Sequence, residues 1–256
     1  MLTAKACATL WAVLAVGALA AGDVTPEQKA VEDIYGRRIA DVRESSGEQD
    51  DLVLVREMLI AAHDEANSQK MRRALADRAC RLAMLLSSKE GVDLAGQAMD
   101  LAGSIRPYSL VERLAFKRDL ALKELDLAQA ARAGKDQLAD LAGAAVKAQL
   151  AYVEQVMMDP DVMPAVRDAL TELRALVARY QLTALRQHVQ ETSDAFREIE
   201  SGWMRLRSVE VKLKDATKSG SESAVSAAKV ALAKAHLAFN GDIASAAKYL
   251  PGTGDE

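Results

Sequence analysis

The stretch PAVRDALTELRALVARYQLTALRQHVQETSDAFREIESGWMRLRSVEVKLKDAT, residues 164–217, decides how the rest of the chain is read. It holds 54 residues, no proline after its first position and a single glycine, Gly202. A straight helix of that length would run about 80 Å. Its later half carries a 3-4 apolar rhythm through Leu182, Leu185, Val189, Thr192, Phe196, Ile199, Trp203, Leu206, Glu210 and Leu213. That spacing makes a seam that packs along another helix. The earlier half has its own seam, Leu170, Leu173, Val177 and Tyr180. The two are out of phase, and the change falls near Tyr180–Leu182, as at a stutter.

Outward from this stretch the same chemistry continues. Half of the 256 residues are apolar, only 4% are aromatic, and alanine, leucine and the long charged side chains dominate. These are strong helix formers. Period-two alternation bounded by turn residues is almost wholly lacking, so no sheet is expected. Capping-box pairs mark helix starts at Thr25/Gln28, Ser87/Glu90, Ser109/Glu112 and Ser219/Glu222. Gly103 and Gly134 are expected helix stops, and Asp159-Pro160-Asp161 breaks the helix before it. Eight helical segments follow. The expected class is all-α: short helical hairpins, then a long antiparallel coiled-coil-like helical hairpin.

Residues 1–20 read as an export signal. Lys5 precedes an uncharged run from Ala6 to Leu19, and Ala18-Leu19-Ala20 supplies the small-x-small pattern for cleavage between Ala20 and Ala21. The run is short for a membrane span. Cys7 lies ahead of the apolar run, the wrong side for a lipidated cysteine. The expected divisions are 1–20 signal peptide, 21–158 helical hairpins, 159–250 long hairpin and 251–256 polar tail. The mature chain, periplasmic or secreted, then carries 32 basic residues (33 less Lys5) against 37 acidic ones, a formal charge of −5. That balance argues against general nucleic-acid binding. No later run approaches 18 apolar residues, so stable membrane insertion is not expected. Cys80 alone remains after cleavage, which excludes an intramolecular disulfide.

Residues 76–107 resemble one degenerate tetratricopeptide hairpin. The family's small and apolar positions fall on Leu82, Ala83, Leu86, Ala95, Met99 and Ala102, counting back from Pro107. Its aromatic positions do not match, since Ala79, Leu86 and Met99 stand there. The resemblance covers about an eighth of the chain and implies helix-hairpin packing, with a peptide-binding groove. An ordinary antiparallel helix pair explains the same residues. Residues 50–125 are more loosely similar to helical segments of exported bacterial proteins of unknown activity.

Chemistry-bearing motifs are few. His63, His188 and His236 form neither Glu-x-x-His nor His-x-x-x-His pairs, so the di-iron and zinc-protease patterns are lacking. His188 and Glu191 share a helix face, read here as solvated. There is no Cys-x-x-Cys-His, no Gly-rich phosphate loop and no Gly-x-Ser-x-Gly elbow. Cys80 sits by an apolar stripe without a neighbouring base and reads as a buried small side chain. Arg72, Arg73, Arg78 and Arg81 make one helix strongly basic, a candidate face for an anionic partner or simply for surface pairs with Asp64, Glu65 and Asp77. Trp203 stands in the long seam and is expected to lie against Ala235 and Phe239 of the last helix.

The expected function is a non-enzymatic, exported structural or protein-interaction module of the bacterial envelope, without catalytic residues, cofactor or metal. Its partner is another protein or a second copy, met through helical surfaces. The alternatives are a tetratricopeptide-like peptide adaptor built on residues 50–158, and an enzyme with an unrecognised carboxylate pair on facing helices.

Overall fold

The computed structural model describes residues 24–44, 47–240 and 242–249. The proposed signal and its cleavage site at Ala20 and Ala21, and the polar tail, lie outside the described residues. Within them the chain is all-α: ten α-helices, one 3-10 turn and no strand. The helices are α1 (Pro26–Glu44), α2 (Gln49–His63), α3 (Gln69–Ala83), α4 (Lys89–Ile105), α5 (Leu110–Ala130), α6 (Lys135–Val156), α7 (Met163–Arg179), α8 (Thr183–Ser219), α9 (Glu222–Asn240) and α10 (Ile243–Ala247). The 3-10 turn Pro160–Val162 precedes α7. None of the helices searched among the described residues is long and apolar enough to cross a membrane.

Local chemistry explains most boundaries. Thr25 and Gln28 satisfy each other reciprocally, Thr25 N donating to Gln28 Oε1 at 2.9 Å and Gln28 N to Thr25 Oγ1 at 3.2 Å. Ser109 and Glu112 form the same box ahead of α5. Other expected boundaries move by a residue or more. Ser88 rather than Ser87 caps α4, accepting from Gly91 N. Ser219 belongs to the end of α8, and Ser221 Oγ accepts from Ala224 N at the start of α9. Gly103 lies inside α4, because Arg106 N still bonds Ala102 O. Helix α5 stops before Gly134: Arg132 takes the left-handed conformation at φ 54°, and Ala133 N bonds Ala128 O.

Residues 164–217 are two helices. Helix α7 ends at Arg179, Gln181 turns left-handed at φ 55°, and α8 begins at Thr183. Leu182 N returns to Val177 O, satisfying a carbonyl at the end of α7. The phase change at Tyr180–Leu182 is therefore a full interruption.

The chain divides into two compact units. The first runs to Tyr152 and adds Ala175–Leu182. Its main core joins Val31 and Ile39 of α1, Val55, Met58 and Ala62 of α2, Leu75, Ala76, Ala79 and Ala83 of α3, and Ala95, Ala98 and Ala102 of α4. So many buried alanines let α2, α3 and α4 approach closely, with Met58 and the leucines filling the gaps between them. Of the repeat-like positions, Leu82, Ala83, Leu86, Ala95 and Ala102 are buried here and Met99 packs against the same core. Helix α5 has two apolar sides. Phe116 and Leu120 pack on this core, while Leu122 and Leu125 meet Ala142 and Ala145 of α6 in a second cluster that also takes Leu176, Tyr180 and Leu182.

The second unit comprises Val153–Arg174 and the chain from Thr183 onward. Helix α8 spans 37 residues, about 55 Å. Its first half binds the preceding segments through Arg167–Glu200 and Glu154–His188 pairs. Its second half pairs with α9 across a turn at Gly220, whose φ of +69° suits glycine. The inward residues are Val189, Thr192, Ser193, Phe196 and Leu206, with Trp203, Val209 and Leu213 half-buried. Glu210, expected in the seam, is exposed, and Val209 takes its place. A 3-4 rhythm admits either residue at that turn, and the carboxylate goes to water.

The turn at Gln181 has a measurable cost. A left-handed conformation costs an ordinary residue about 1 kcal/mol, and glycine escapes it. Gln181→Gly should raise stability by up to about 1 kcal/mol, and Gln181→Val should lower it by a similar amount or more. Thermal melts of the two variants check this; equal effects would show that the turn carries no strain.

Candidate functional site

The four arginines of α3 do not converge on one surface. Arg72 Nε donates to Ala62 O at 2.9 Å, in the last turn of α2. Arg73 donates to Ala102 O and Arg106 O at the end of α4 and pairs with Asp77 at 2.9 Å. Arg78 pairs with Glu32 of α1 at 2.8 Å. Arg81 is exposed. Three of the four thus bind α3 to three different helices.

Carbonyls in the last turn of a helix lack partners and carry the negative end of its dipole, so a cation there is doubly favourable. Lys123 of α5 does the same for α3, donating to Met84 O at 2.7 Å. Arg72, Arg73 and Lys123 therefore cap the C-termini of α2, α4 and α3. Burial lowers the Lys123 ammonium from the usual lysine range, with Glu48 and Asp126 opposing that shift.

Arg73 also lies over the Tyr108 ring, 3.7 Å from its centroid, and Tyr108 Oη donates to Asp77. The three side chains close a half-buried network on α3 and the segment after α4. Burial, then the bond to Asp77, raises the Tyr108 phenol far above its ordinary value. Cys80, 7% exposed, lies in the core beside this network. Burial first, and the Asp77 carboxylate second, push its thiol up to about 12. Such a thiol is a poor nucleophile near neutral pH.

On α5 a second charged group is enclosed. Arg118 Nε donates to Asp119 at 2.7 Å, and its guanidinium stacks on Tyr152 at 4.2 Å. Burial raises the Asp119 carboxyl, partly offset by Arg118. Each ion here has a partner within its own cluster, which is the pattern of structural ion pairs.

The histidines are separated. His188 meets Glu154 of α6 at 2.6 Å rather than Glu191, which accepts from Gln187. Thr192 Oγ1 donates to Glu154 at 3.2 Å and to His188 O at 2.9 Å. His236 stacks on Tyr249 at 5.8 Å. Glu154 was invisible as a partner in the sequence because it lies 34 residues from His188. Among the described residues no three His, Cys, Asp or Glu side chains form a group that could hold a metal.

The arm formed by α8 and α9 is closed on its inner side by aromatic rings. Trp203 meets Phe239 edge to face, with centroids 5.3 Å apart at 74°. A Cβ on Gly202 would stand 2.1 Å from two carbons of the Phe239 ring, so glycine is required for this approach. The lone glycine of a long helix was the sequence signal for it. Trp203 Nε1 is buried without a hydrogen-bond partner among the described residues. On other sides of the arm Met204 is 65% exposed, Val211 57% and Leu237 45%.

Three outcomes follow from these contacts. Trp203→Ala should destabilise the fold by about 3 kcal/mol, the low end for a buried tryptophan because the ring is only part-buried. Trp203→Phe should cost far less, since it also deletes an unpaired buried N–H. Gly202→Ala gains helix propensity of about 1 kcal/mol yet should still destabilise, through the collision with Phe239. Denaturant midpoints of the three variants decide; a stabilised Gly202→Ala would show that Phe239 is free to move.

Alkaline pH tests Cys80. In the unfolded chain its thiol ionises from about 9, and in the folded chain only near about 12. The folded state therefore holds more protons between those values, and stability falls as pH rises through them, by about 4 kcal/mol at most. Tyr108, ordinary value 10.0, adds a fall that begins about one pH unit higher. Between pH 9 and 10 the denaturation midpoint of the wild type should drop more steeply than that of Cys80→Ala. Parallel profiles would mean that the folded thiol ionises normally.

No protein-family model, curated protein or solved structure matches this chain.

Proposed function

We infer that the chain is a non-enzymatic helical interaction module exported to the bacterial envelope. Its α8–α9 arm presents side chains to a protein partner. The observation that carries this reading is the division of labour on the arm. Trp203, Phe239 and Leu206 are spent on holding the two helices together, while Met204 and Val211, one heptad apart on α8, face water. Large apolar side chains spaced by two helical turns form an anchor row of the kind that docks against another helical surface. Arginines that stabilise the fold leave that row as the better candidate than the α3 face.

The second reading is a tetratricopeptide-like adaptor that binds peptide in residues 50–158. The close α3–α4 pairing and the burial of the repeat-like positions support it.

Site-specific photo-cross-linking in the native cell separates the two. A photoreactive residue at Met204 or Val211 should yield a protein adduct, and one at Arg81 should not. Adducts from Arg81 alone would favour the adaptor. None from either would sink both. The isolated adduct should carry this chain beginning at Ala21, checked by mass; an intact Met1 would overturn export by signal cleavage.

A further inference from the structure

Helix α8 carries an excess of positive charge along the outer side of the arm. Residues 204–218 hold five cations, Arg205, Arg207, Lys212, Lys214 and Lys218, against two carboxylates, Glu210 and Asp215. The rest of the chain holds 28 basic residues (33 less five) against 35 acidic ones (37 less two). A stretch of net charge +3 thus stands in a chain that is otherwise −7. Helix α9 does not neutralise it, since residues 222–236 hold Lys229 and Lys234 against Glu222 alone. All five cations are exposed, and none pairs with a carboxylate among the described residues. Elsewhere arginines bind the fold together: Arg38 pairs with Glu57, Arg56 with Glu90, Arg78 with Glu32 and Arg167 with Glu200, each between two helices. Lys218 suits the last turn of α8, where the helix dipole favours a cation. The other four serve no helix end and no ion pair. Lys214 even meets a like charge in Lys218, four residues on.

Their spacing is regular. Met204, Val211 and Lys218 stand seven apart, close to one line along the helix. Arg205 and Lys212 come one residue after Met204 and Val211, about 100° to one side. Arg207 and Lys214 come three residues after them, about 60° to the other side. Two basic rows therefore flank the apolar row along about 21 Å of helix. We propose that the partner of the arm is an acidic helix. This rests on the reading of the α8–α9 arm as the docking surface. Such a helix lays apolar side chains over Met204 and Val211 and sets carboxylates at heptad spacing against the two basic rows. Flanking charges of this kind select the partner in helical pairs. A lipid surface suits the face less. Two large apolar side chains are few for burial at a bilayer interface, and Asp215, four residues after Val211, would meet anionic headgroups. A partner helix can place a single cation opposite Asp215.

The test is cross-linking in the native cell from a photoreactive residue at Val211 of the full chain, with the attached partner peptide sequenced by mass spectrometry. That peptide should hold more Asp and Glu than Lys and Arg, with apolar residues three or four apart. Lys212→Glu together with Lys214→Glu should cut the adduct by about tenfold or more, because like charges then meet. Lys212→Gln with Lys214→Gln should cut it less, and keeps the test open if the first pair fails to fold. Both positions are exposed and unpaired, so melting temperatures should stay at the wild-type value, which separates lost docking from lost fold. An adduct that both pairs leave undiminished, or a partner peptide without an acidic excess, would overturn the acidic helix and leave the arm as the docking surface. No adduct from Val211 or from Met204 would remove the arm reading, and this inference with it. Co-sedimentation of the purified chain with phosphatidylglycerol vesicles, lost in the Glu variant, would overturn the proposal in favour of a lipid surface.

Discussion

One residue in the left-handed conformation, Gln181, sets the plan of the molecule. Without it residues 164–217 would be a single rod of about 80 Å, and the seam of α7 would drift out of phase with that of α8. The interruption lets Leu176, Tyr180 and Leu182 join the cluster around Leu122 and Leu125, while Val189 and Phe196 are buried in the second unit. Each half of the stretch can then bury its own apolar stripe. The strain at one backbone position is small beside the burial of several large side chains, each contributing about 1.5–3 kcal/mol.

The first unit solves a related problem at its helix ends. Alanine-lined helices that approach closely leave little room for long loops, and the carbonyls of each last turn still need donors. Arg72, Arg73 and Lys123 reach those carbonyls from neighbouring helices. Their long apolar stems cover the core edge while the charged ends bond the backbone. A cluster of arginines that resembles an anion-binding face is thereby largely consumed by the fold.

The second unit relies on aromatic contact instead. Trp203 and Phe239 meet edge to face where α8 has no side chain at Gly202, so the helices close at a point of minimal bulk. This arrangement holds the arm together with few residues. It leaves Met204 and Val211 unspent.

Much of this was legible from residue order alone. Helical class, the break near Tyr180–Leu182, the Thr25 and Ser109 caps and the burial of Cys80 follow from local spacing, which acts over one or two helical turns, and the meeting of Trp203 with Phe239 follows from counting along both helices from the turn at Gly220. The details that moved are those where neighbouring residues compete on equal local terms: Ser88 over Ser87, Val209 over Glu210, Arg132 ahead of Gly134. The destinations of the arginines, the Glu154–His188 pair and the Arg38–Glu57 pair depended on which helices lie side by side. Except across a tight turn, whose position fixes the level of both helices, partners on different helices share no periodic signal, so only tertiary packing could bring them together. Residue order therefore set the helices and their apolar stripes, while packing decided which charged side chains are spent inside the fold and which stay in water.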